Sequence, residues 1–112
     1  CCTENLQNIN IDWYEEKSLC IVLCSKGYPD KFEKKIIIEG TEKIDLKKDE
    51  YIFHAGTIKN KNKVYSNGGR VLNFVTLSKE FKESRNNTIR LINELDWANG
   101  FYRKDIGNKV ID

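Results

Sequence analysis

Apolar and polar positions alternate with a period of two through the middle of the chain, which is typical of β-strands. Three β-like runs are present there: Tyr51–Lys59, Lys63–Ser66 and Arg70–Leu77. Two short breaks, Asn60-Lys61-Asn62 and Asn67-Gly68-Gly69, separate them. Because Asn and Gly tolerate positive φ, both breaks indicate hairpin turns. We therefore predict a meander of consecutive antiparallel strands.

The last of these runs is apolar on both parities, with Val71 and Val75 on one side and Leu72 and Phe74 on the other. A strand of this kind is usually central in its sheet and covered on both sides. The continuous apolar run Leu19–Cys24 likewise predicts a strand buried on both faces. A further β-like run is Lys35–Glu39.

After Leu77 the apolar period changes from 2 to about 3.6, as expected for a helix. One helical stripe is formed by Phe81, Ser84, Thr88, Leu91, Ile92 and Leu95. We predict that this stripe faces the sheet, that Ser78 is the N-cap and that Asn99-Gly100 ends the helical region. The fold class expected is α+β: a small, mainly antiparallel twisted sheet packed with one long amphipathic helix.

The remaining segments give shorter elements. Cys1–Asn8 is interpreted as the tail of a helix that starts upstream, Thr41–Glu50 as a loop with a helical turn, and Phe101–Gly107 as an extended or looped segment. The chain opens on Cys1-Cys2 and contains no Met. We therefore expect an excised C-terminal part of a longer protein.

Length and composition narrow the choice of function. At 112 residues the chain is expected to form one domain. A net charge of +2 is too small to predict a nucleic acid or an acidic membrane as partner. No apolar run approaches the roughly 20 residues that cross a bilayer, and the first residues do not resemble a signal peptide. We expect a cytoplasmic monomer with neither nucleic-acid nor membrane partners.

The four cysteines are Cys1, Cys2, Cys20 and Cys24. Their spacing contains no C-x₂-C pair of the kind that holds zinc. Cys20 and Cys24 share one face of a strand at a separation of about 13 Å, which exceeds the reach of a disulfide. We predict four free, buried thiols that bind no metal.

Three stretches could contribute to a site, and each has a structural alternative. Gly68-Gly69-Arg70 is either turn chemistry or a place where amides and a guanidinium hold an anion. Ser25–Tyr28 follows an apolar strand, where ligand loops often lie, but it could equally be a surface turn. His54, the only histidine, is either a hydrogen-bonded structural residue or a base, and Gly56-Thr57 after it breaks the alternation.

The sequence lacks the common catalytic signatures. It has no Ser-His-Asp order, paired-carboxylate site, phosphate-cradling GxxxxGK loop or cluster of metal ligands. Arg103 and Asp105 are expected to form an ion pair near the surface. From the residues alone, the chain is an α+β domain with a possible anion-binding face.

Four motifs in order, SKGYP, FHAGT, NGGRVL and FYRKDIG, resemble the C-terminal domain of phosphoribosylamine–glycine ligases, members of the ATP-grasp superfamily. The resemblance covers essentially the whole chain, and FKESRNNTIRLINEL stands where this family has an amphipathic helix. The chain departs from the family at Cys24, where a small residue is usual. It also departs at Asp30, Lys35 and Asn73, where glycine is common.

The resemblance implies that residues 1–112 form the C-terminal domain of such a ligase, with the N-terminal and ATP-grasp domains upstream. The whole enzyme would use ATP and Mg²⁺, or Mn²⁺, to join glycine to 5-phosphoribosylamine, forming glycinamide ribonucleotide in purine biosynthesis. This domain would pack on its own upstream domains and close the acceptor-substrate side. The chain alone is predicted to bind neither ATP nor metal and to be inactive.

The resemblance and the residue types together suggest a set of substrate-positioning residues, with no residue assigned as acid, base or nucleophile. The set is Ser25, Lys26, Gly27, Tyr28, His54, Gly56, Thr57, Asn67, Gly68, Gly69 and Arg70. Two alternatives stay open. One is a stand-alone β-platform that stacks single-stranded nucleic acid on Tyr51, Phe53, Tyr65 and Phe74. The other is a purely structural domain that touches no ligand.

Overall fold

The computed structural model describes residues 2–111 and has an α+β fold, which confirms the predicted class. The strands are β1 (Lys17–Ser25), β2 (Ile37–Ile38), β3 (Glu50–His54), β4 (Thr57–Asn60), β5 (Lys63–Ser66), β6 (Arg70–Ser78) and β7 (Gly100–Phe101). The helix α1 spans Phe81–Leu95, and two 3₁₀ turns span Leu6–Asn8 and Thr41–Lys43. The second of these turns confirms the helical turn expected after Thr41. At the start of the chain only Leu6–Asn8 is helical, and Cys1 lies outside the described residues.

The strands form two antiparallel sheets, a four-stranded one in the order β3-β6-β1-β7 and a three-stranded one in the order β2-β5-β4. Strand β6 pairs with β1 from Lys17↔Ser78 onward and with β3 on its other side, so its predicted central position is confirmed. The predicted meander is wrong, because β5 and β6 belong to different sheets.

The first break is a hairpin turn, as predicted. Asn60 pairs with Lys63, and the two residues between them, Lys61 and Asn62, have φ of 48° and 64°. Two consecutive left-handed residues are what a tight type I′ turn needs. The second break, Asn67-Gly68-Gly69, is not a turn of this kind. Among the glycines of residues 2–111, φ is positive only at Gly27, Gly40 and Gly107, so neither Gly68 nor Gly69 is left-handed.

The single run predicted over Tyr51–Lys59 is also wrong, because the chain turns a corner at Ala55-Gly56. The Ala55 and Gly56 amides donate to the carbonyls of Val71 and Arg70, each at 2.9 Å. A Cβ on Gly56 would lie 2.6 Å from the Arg70 carbonyl oxygen, so this close backbone approach requires glycine. The corner sends β3 into one sheet and β4 into the other.

Helix α1 packs against β1 and β6, and its predicted stripe faces the sheet. Ser84, Thr88, Leu91, Ile92 and Leu95 are buried, whereas Phe81 is half-buried. The two hydroxyl residues in this stripe are satisfied: Thr76 Oγ1 lies 2.8 Å from both Ser84 Oγ and Thr88 Oγ1. The periodicity of the sequence therefore identified the buried face of the helix.

The helix ends differ from the prediction. Ser78 is the last residue of β6, and its hydroxyl donates to the Glu80 carbonyl at 2.5 Å, while Glu80 occupies the N-cap position. Asp96 adopts the left-handed conformation (φ 48°) and ends the helix before Asn99-Gly100. Gly100 starts the short strand β7 instead.

The two faces of the four-stranded sheet are buried to different degrees. Along β1, Leu19, Ile21, Leu23 and Ser25 are buried, and the first three share a core with α1, but Cys20 on the opposite parity is exposed. The expected burial of Leu19–Cys24 on both faces is therefore wrong, and β6 is fully covered only on its helix side. We call the other side the open face; its apolar residues are Cys20, Val22, Cys24, Tyr51, Phe53, Val75, Leu77 and Phe101.

Of the cysteines that the structure describes, Cys2, Cys20 and Cys24 are free, as predicted, but Cys2 and Cys20 are exposed rather than buried. The prediction for Cys1 lies outside the described residues. Within residues 2–111 no three His, Cys, Asp or Glu side chains are grouped so that they could hold a metal ion. No helix in the same range is long and apolar enough to cross a bilayer.

Candidate functional site

Arg70 starts β6 opposite Cys24 of β1, next to the register shift between Leu23 and Cys24. Its side chain is exposed and borders an open cleft of about 450 Å³. We call this the Arg70 cleft; it is lined by Val22, Tyr28, Ala55, Gly56, Gly69, Arg70 and Asn73. Arg70 is the charged residue of this lining, so the cleft suits a ligand with anionic oxygens.

Two glycines bring the walls of the cleft together. A Cβ on Gly69 would lie 1.9 Å from Cδ2 of Tyr28, because the tyrosine ring packs directly on this glycine. A Cβ on Gly68 would lie 3.3 Å from the Cα of Gly56. The Gly-Gly pair before Arg70 therefore permits close approach of a ring and a backbone rather than a positive φ.

Ser25 holds this turn from beneath. Its side chain is fully buried, and its hydroxyl donates to the Gly68 carbonyl at 2.8 Å. The Ser25 amide donates to the Gly69 carbonyl at 2.7 Å, and the Ser25 carbonyl accepts from the Tyr28 amide at 3.0 Å. One residue at the end of β1 thus fixes both the Gly-Gly turn and the loop that carries Tyr28.

His54 and Thr57 lie elsewhere. They line a second open cleft of about 680 Å³, whose walls include Ile52 and Ile58. His54 Nδ1 and Thr57 Oγ1 are 2.9 Å apart and form a hydrogen bond. Strand alternation explains the separation, because His54 and Ile52 point to the side of β3 opposite Phe53.

Lys26, Gly27 and Asn67 also stay outside the Arg70 cleft. Lys26 lines a third cleft together with Lys31 and Asn99. Gly27 occupies a turn at φ 97°, where a Cβ would lie 2.1 Å from the Lys31 carbonyl oxygen. The exposed Asn67 donates its amide to the Gly56 carbonyl at 2.7 Å. Of the predicted set, the structure brings Tyr28, Gly56, Gly69 and Arg70 together, with Ser25 and Gly68 supporting them.

Sequence reasoning missed three residues of the cleft: Val22, Ala55 and Asn73. Asn73 carried a signal, since it is a polar residue between Val71 and Val75 on an otherwise apolar parity. Val22 could have been predicted, because it lies on the same side of β1 as Cys24, which pairs with Arg70. Ala55 lies within the FHAGT motif but was not assigned to the site, because its position depends on the corner between the two sheets.

Charge at the cleft acts on Cys24. Burial raises the pKa of the Cys24 thiol, and the Arg70 guanidinium partly opposes this by lowering it. The pKa of Cys20 is raised by partial desolvation alone, although its side chain stays exposed. The expected ion pair between Arg103 and Asp105 is present, with Nη2 and Oδ2 2.5 Å apart, and it lowers the pKa of Asp105 through the side-chain hydrogen bond.

Fold and site together define an α+β domain of two antiparallel sheets and one helix, with an arginine-bearing cleft at the corner between the sheets. Residues 18–109 match the family model described as the C domain of phosphoribosylglycinamide synthetase. The chain belongs to this family.

Curated relatives carry the corresponding enzyme name. The chain is 40% identical over 109 residues to phosphoribosylamine–glycine ligase of Fusobacterium nucleatum, covering 96% of this chain and 26% of that protein. It is 32% identical over 112 residues to the chloroplastic enzyme of Arabidopsis thaliana, covering 98% of this chain and 21% of that protein. The chain therefore spans about a quarter or less of the length of these relatives.

A solved structure agrees with the fold. The crystal structure of phosphoribosylamine–glycine ligase from Thermotoga maritima is similar at a TM-score of 0.64 and 32% sequence identity. The similarity covers 80% of this chain and 22% of that one.

Proposed function

We propose that this chain is the C-terminal part of a phosphoribosylamine–glycine ligase, which joins glycine to 5-phosphoribosylamine at the expense of ATP and forms glycinamide ribonucleotide in purine biosynthesis. The observation that carries this proposal is the family match over residues 18–109. The Arg70 cleft supports the role that we propose for the domain, which is to close the acceptor-substrate side of the active site.

Arg70 is the residue that would contact the acceptor. Its planar guanidinium can donate two parallel hydrogen bonds to phosphate or other anionic oxygens of 5-phosphoribosylamine. Tyr28 and Gly69 would form the wall beside it. Ser25 positions that wall through its hydrogen bond to the Gly68 carbonyl and does not touch the acceptor, because it is fully buried.

His54 and Thr57 would take no direct part in the same contact, since they line a separate cleft. We retain Lys26, Gly27 and Asn67 as residues that shape the surrounding loops. We therefore propose that only the residues around Arg70, and not the whole predicted set, contact the substrate in this domain.

ATP, with Mg²⁺ or Mn²⁺, would supply the phosphoryl group that activates the glycine carboxylate. We propose that the nucleotide and the metal bind the ATP-grasp domains that the resemblance places upstream of this chain. Glycine binding is assigned likewise to parts of the polypeptide beyond it. We further propose that the whole protein acts as a cytoplasmic monomer.

The alternative β-platform for nucleic acid receives no support from the aromatic side chains that it requires. Phe74 is fully buried in the core and cannot stack a base. Only Tyr51 and Phe53 of the four proposed aromatics are exposed.

The proposal is tested on the full-length protein that carries this domain. We expect ADP formation that depends on both glycine and 5-phosphoribosylamine. Arg70→Ala should lower kcat/KM for 5-phosphoribosylamine by about ten- to a hundred-fold, the loss expected for one charge-assisted contact, with little change for ATP or glycine.

Two variants serve as controls. Arg70→Lys should rescue poorly, because an ammonium group lacks the planar fork of the guanidinium. Lys82→Ala removes one positive charge from an exposed position of α1 and should leave kcat/KM unchanged. Failure of the full-length protein to form ADP with both substrates would refute the function. An unchanged 5-phosphoribosylamine constant in Arg70→Ala would leave Arg70 a structural residue.

A further inference from the structure

Asn73 places a side-chain amide in the Arg70 cleft, on an otherwise apolar part of the open face. Its neighbours across the sheet are Val22 on β1 and Phe53 on β3, and the next residue of the same parity on β6 is Val75. None of these three side chains carries a hydrogen-bonding group. Asn73 is half-buried and lines the cleft together with Arg70. The amide therefore borders the cleft and has no polar neighbour beside it on the sheet.

The Asn73 amide takes part in none of the side-chain hydrogen bonds within residues 2–111. In the same range, the buried side-chain nitrogen or oxygen that lacks a partner is Asn99 Nδ2, so the polar atoms of Asn73 are open to the cleft. A primary amide donates through its nitrogen and accepts through its oxygen, as a hydroxyl partner requires. Because the amide carries no charge, it complements Arg70 rather than duplicating it.

Arg70 and Asn73 lie one row of side chains apart along the cleft. Arg70 pairs with Cys24 of β1, and Asn73 pairs with Val22, two residues earlier on the same strand. Two residues of a strand span about 6.6 Å. In a ribose 5-phosphate group, the anionic oxygens and the neutral ring hydroxyls are separated by a comparable distance. The guanidinium and the amide therefore match the order of charged and neutral groups along such a ligand.

An irregularity of the sheet brings these two residues to one face. Arg70 and Asn73 are three positions apart on β6, and in a regular strand an odd separation would place them on opposite faces. The register shifts where Leu23 pairs with Leu72 but Cys24 pairs with Arg70, which leaves one additional residue on β6. Such a bulge re-aims the side chain beyond it, and bulges are frequent next to ligand sites.

We propose that Asn73 binds a ribose hydroxyl of the acceptor while Arg70 binds its phosphate. This inference rests on the proposed function for the identity of the acceptor. It adds a specificity-determining residue, because a guanidinium alone would accept other small anions of similar size. The amide distinguishes a ribose 5-phosphate group from phosphate compounds that lack the hydroxyl.

The test measures ADP formation by the full-length protein with glycine and three acceptors. Ammonia condenses with ribose 5-phosphate, 2-deoxyribose 5-phosphate or 3-deoxyribose 5-phosphate to give the corresponding glycosylamine and water. With the ribose acceptor, Asn73→Ala should lower kcat/KM by about three- to ten-fold, the loss expected for one neutral hydrogen bond. With the deoxy acceptor that lacks the bound hydroxyl, the same variant should have no effect. Each effect compares two proteins on one acceptor, so the equilibrium amount of glycosylamine cancels.

Three further variants make the comparison specific. Asn73→Val also removes the amide and suits a strand, so it should give the same pattern even where Asn73→Ala folds poorly. Asn86→Ala makes the same chemical change at an exposed position of α1 and should alter none of the three rates. Arg70→Ala should lower kcat/KM for all three acceptors by the same factor, because each of them carries the phosphate.

An equal loss on all three acceptors in Asn73→Ala and Asn73→Val, or no loss on any, would overturn the proposal. A hydroxyl-dependent loss in Tyr28→Phe but not in the Asn73 variants would assign the contact to the tyrosine and would likewise overturn it. These results leave the proposed function intact. Failure of the unaltered protein to form ADP with glycine and the ribose acceptor would instead refute that function, and this inference with it.

Discussion

The two faces of the four-stranded sheet are built from the same strands but differ in what covers them. On the helix side, Ile21, Leu72 and Phe74 are at most 1% exposed and pack beneath α1. On the open side, Tyr51 and Phe53 are about half exposed. Each face has an apolar set of side chains, so alternation alone does not distinguish them. The comparison shows a limit of the sequence pattern. Apolar residues at every second position of a strand indicate that this face of the sheet will be covered, but they do not identify what covers it.

The largest expected effect comes from breaking the covered face. Leu91 is fully buried against the sheet, so Leu91→Ala should lower the free energy of unfolding by about 2–5 kcal/mol, the usual cost of a large core truncation. The matched change is Leu77→Ala, since Leu77 lies on the open-face parity of β6 and is half-buried. It should cost less than half as much. Urea denaturation of the 112-residue chain measures both, and equal losses would mean that the two faces do not differ in packing.

Much of the fold could be predicted because its signals are local. The stripe from Phe81 to Leu95 repeats at the helical period, and the doubly apolar run after Arg70 is the central strand. The division into two sheets could not be predicted, because an Asn-Gly sequence permits a hairpin without requiring one. Gly68 and Gly69 are needed for contact with Gly56 and Tyr28, and contacts so distant in sequence leave no periodic signal.

The site was predictable to a similar extent. Tyr28, Gly69 and Arg70 were identified by residue type and motif, and they meet at one cleft. His54 was assigned to the same site although its parity on β3 turns it to the opposite side of the strand. Ser25 was expected in a loop that follows the strand, but it is the last residue of β1 and is fully buried beneath the Gly68-Gly69 turn. Parity and register, rather than residue type, decide which polar residues can converge.

A smaller effect distinguishes ion pairs on the two sides. On the helix side, Glu50 is buried; it accepts hydrogen bonds from Arg90 and, at 3.0 Å, from the Lys47 amide. Arg90→Ala would leave this buried carboxylate without its charged partner and should cost about 1.5–3 kcal/mol.

The matched change is Arg103→Ala, which removes an exposed arginine from its pair with Asp105 and should give no measurable change. Thermal and urea denaturation of both variants provide the comparison. A loss for Arg103→Ala equal to that for Arg90→Ala would contradict it.

The smallest expected effect is a change in the pKa values of the two thiols of the open face, Cys20 and Cys24. Comparing these two pKa values shows the electrostatic influence of Arg70 separately from that of burial. Burial raises the pKa of both Cys20 and Cys24, but Arg70 lowers the pKa of Cys24 by favouring its thiolate. Arg70→Ala removes that cation, so the pKa of Cys24 should rise further while the pKa of Cys20 stays unchanged. At any pH below the pKa, less of Cys24 is then thiolate, and its alkylation slows.

The measurement is the pH dependence of alkylation at each thiol in the 112-residue chain, resolved by peptide mass spectrometry. The Cys24 profile should move to higher pH in Arg70→Ala and remain near its original position in Arg70→Lys, because lysine preserves the charge. The Cys20 profile in the same samples is the internal control. A parallel shift of both profiles would indicate a general change in the sheet. An unmoved Cys24 profile would mean that the guanidinium does not act on this thiol, and the assignment of Arg70 as the charged wall of the cleft would lose its electrostatic support.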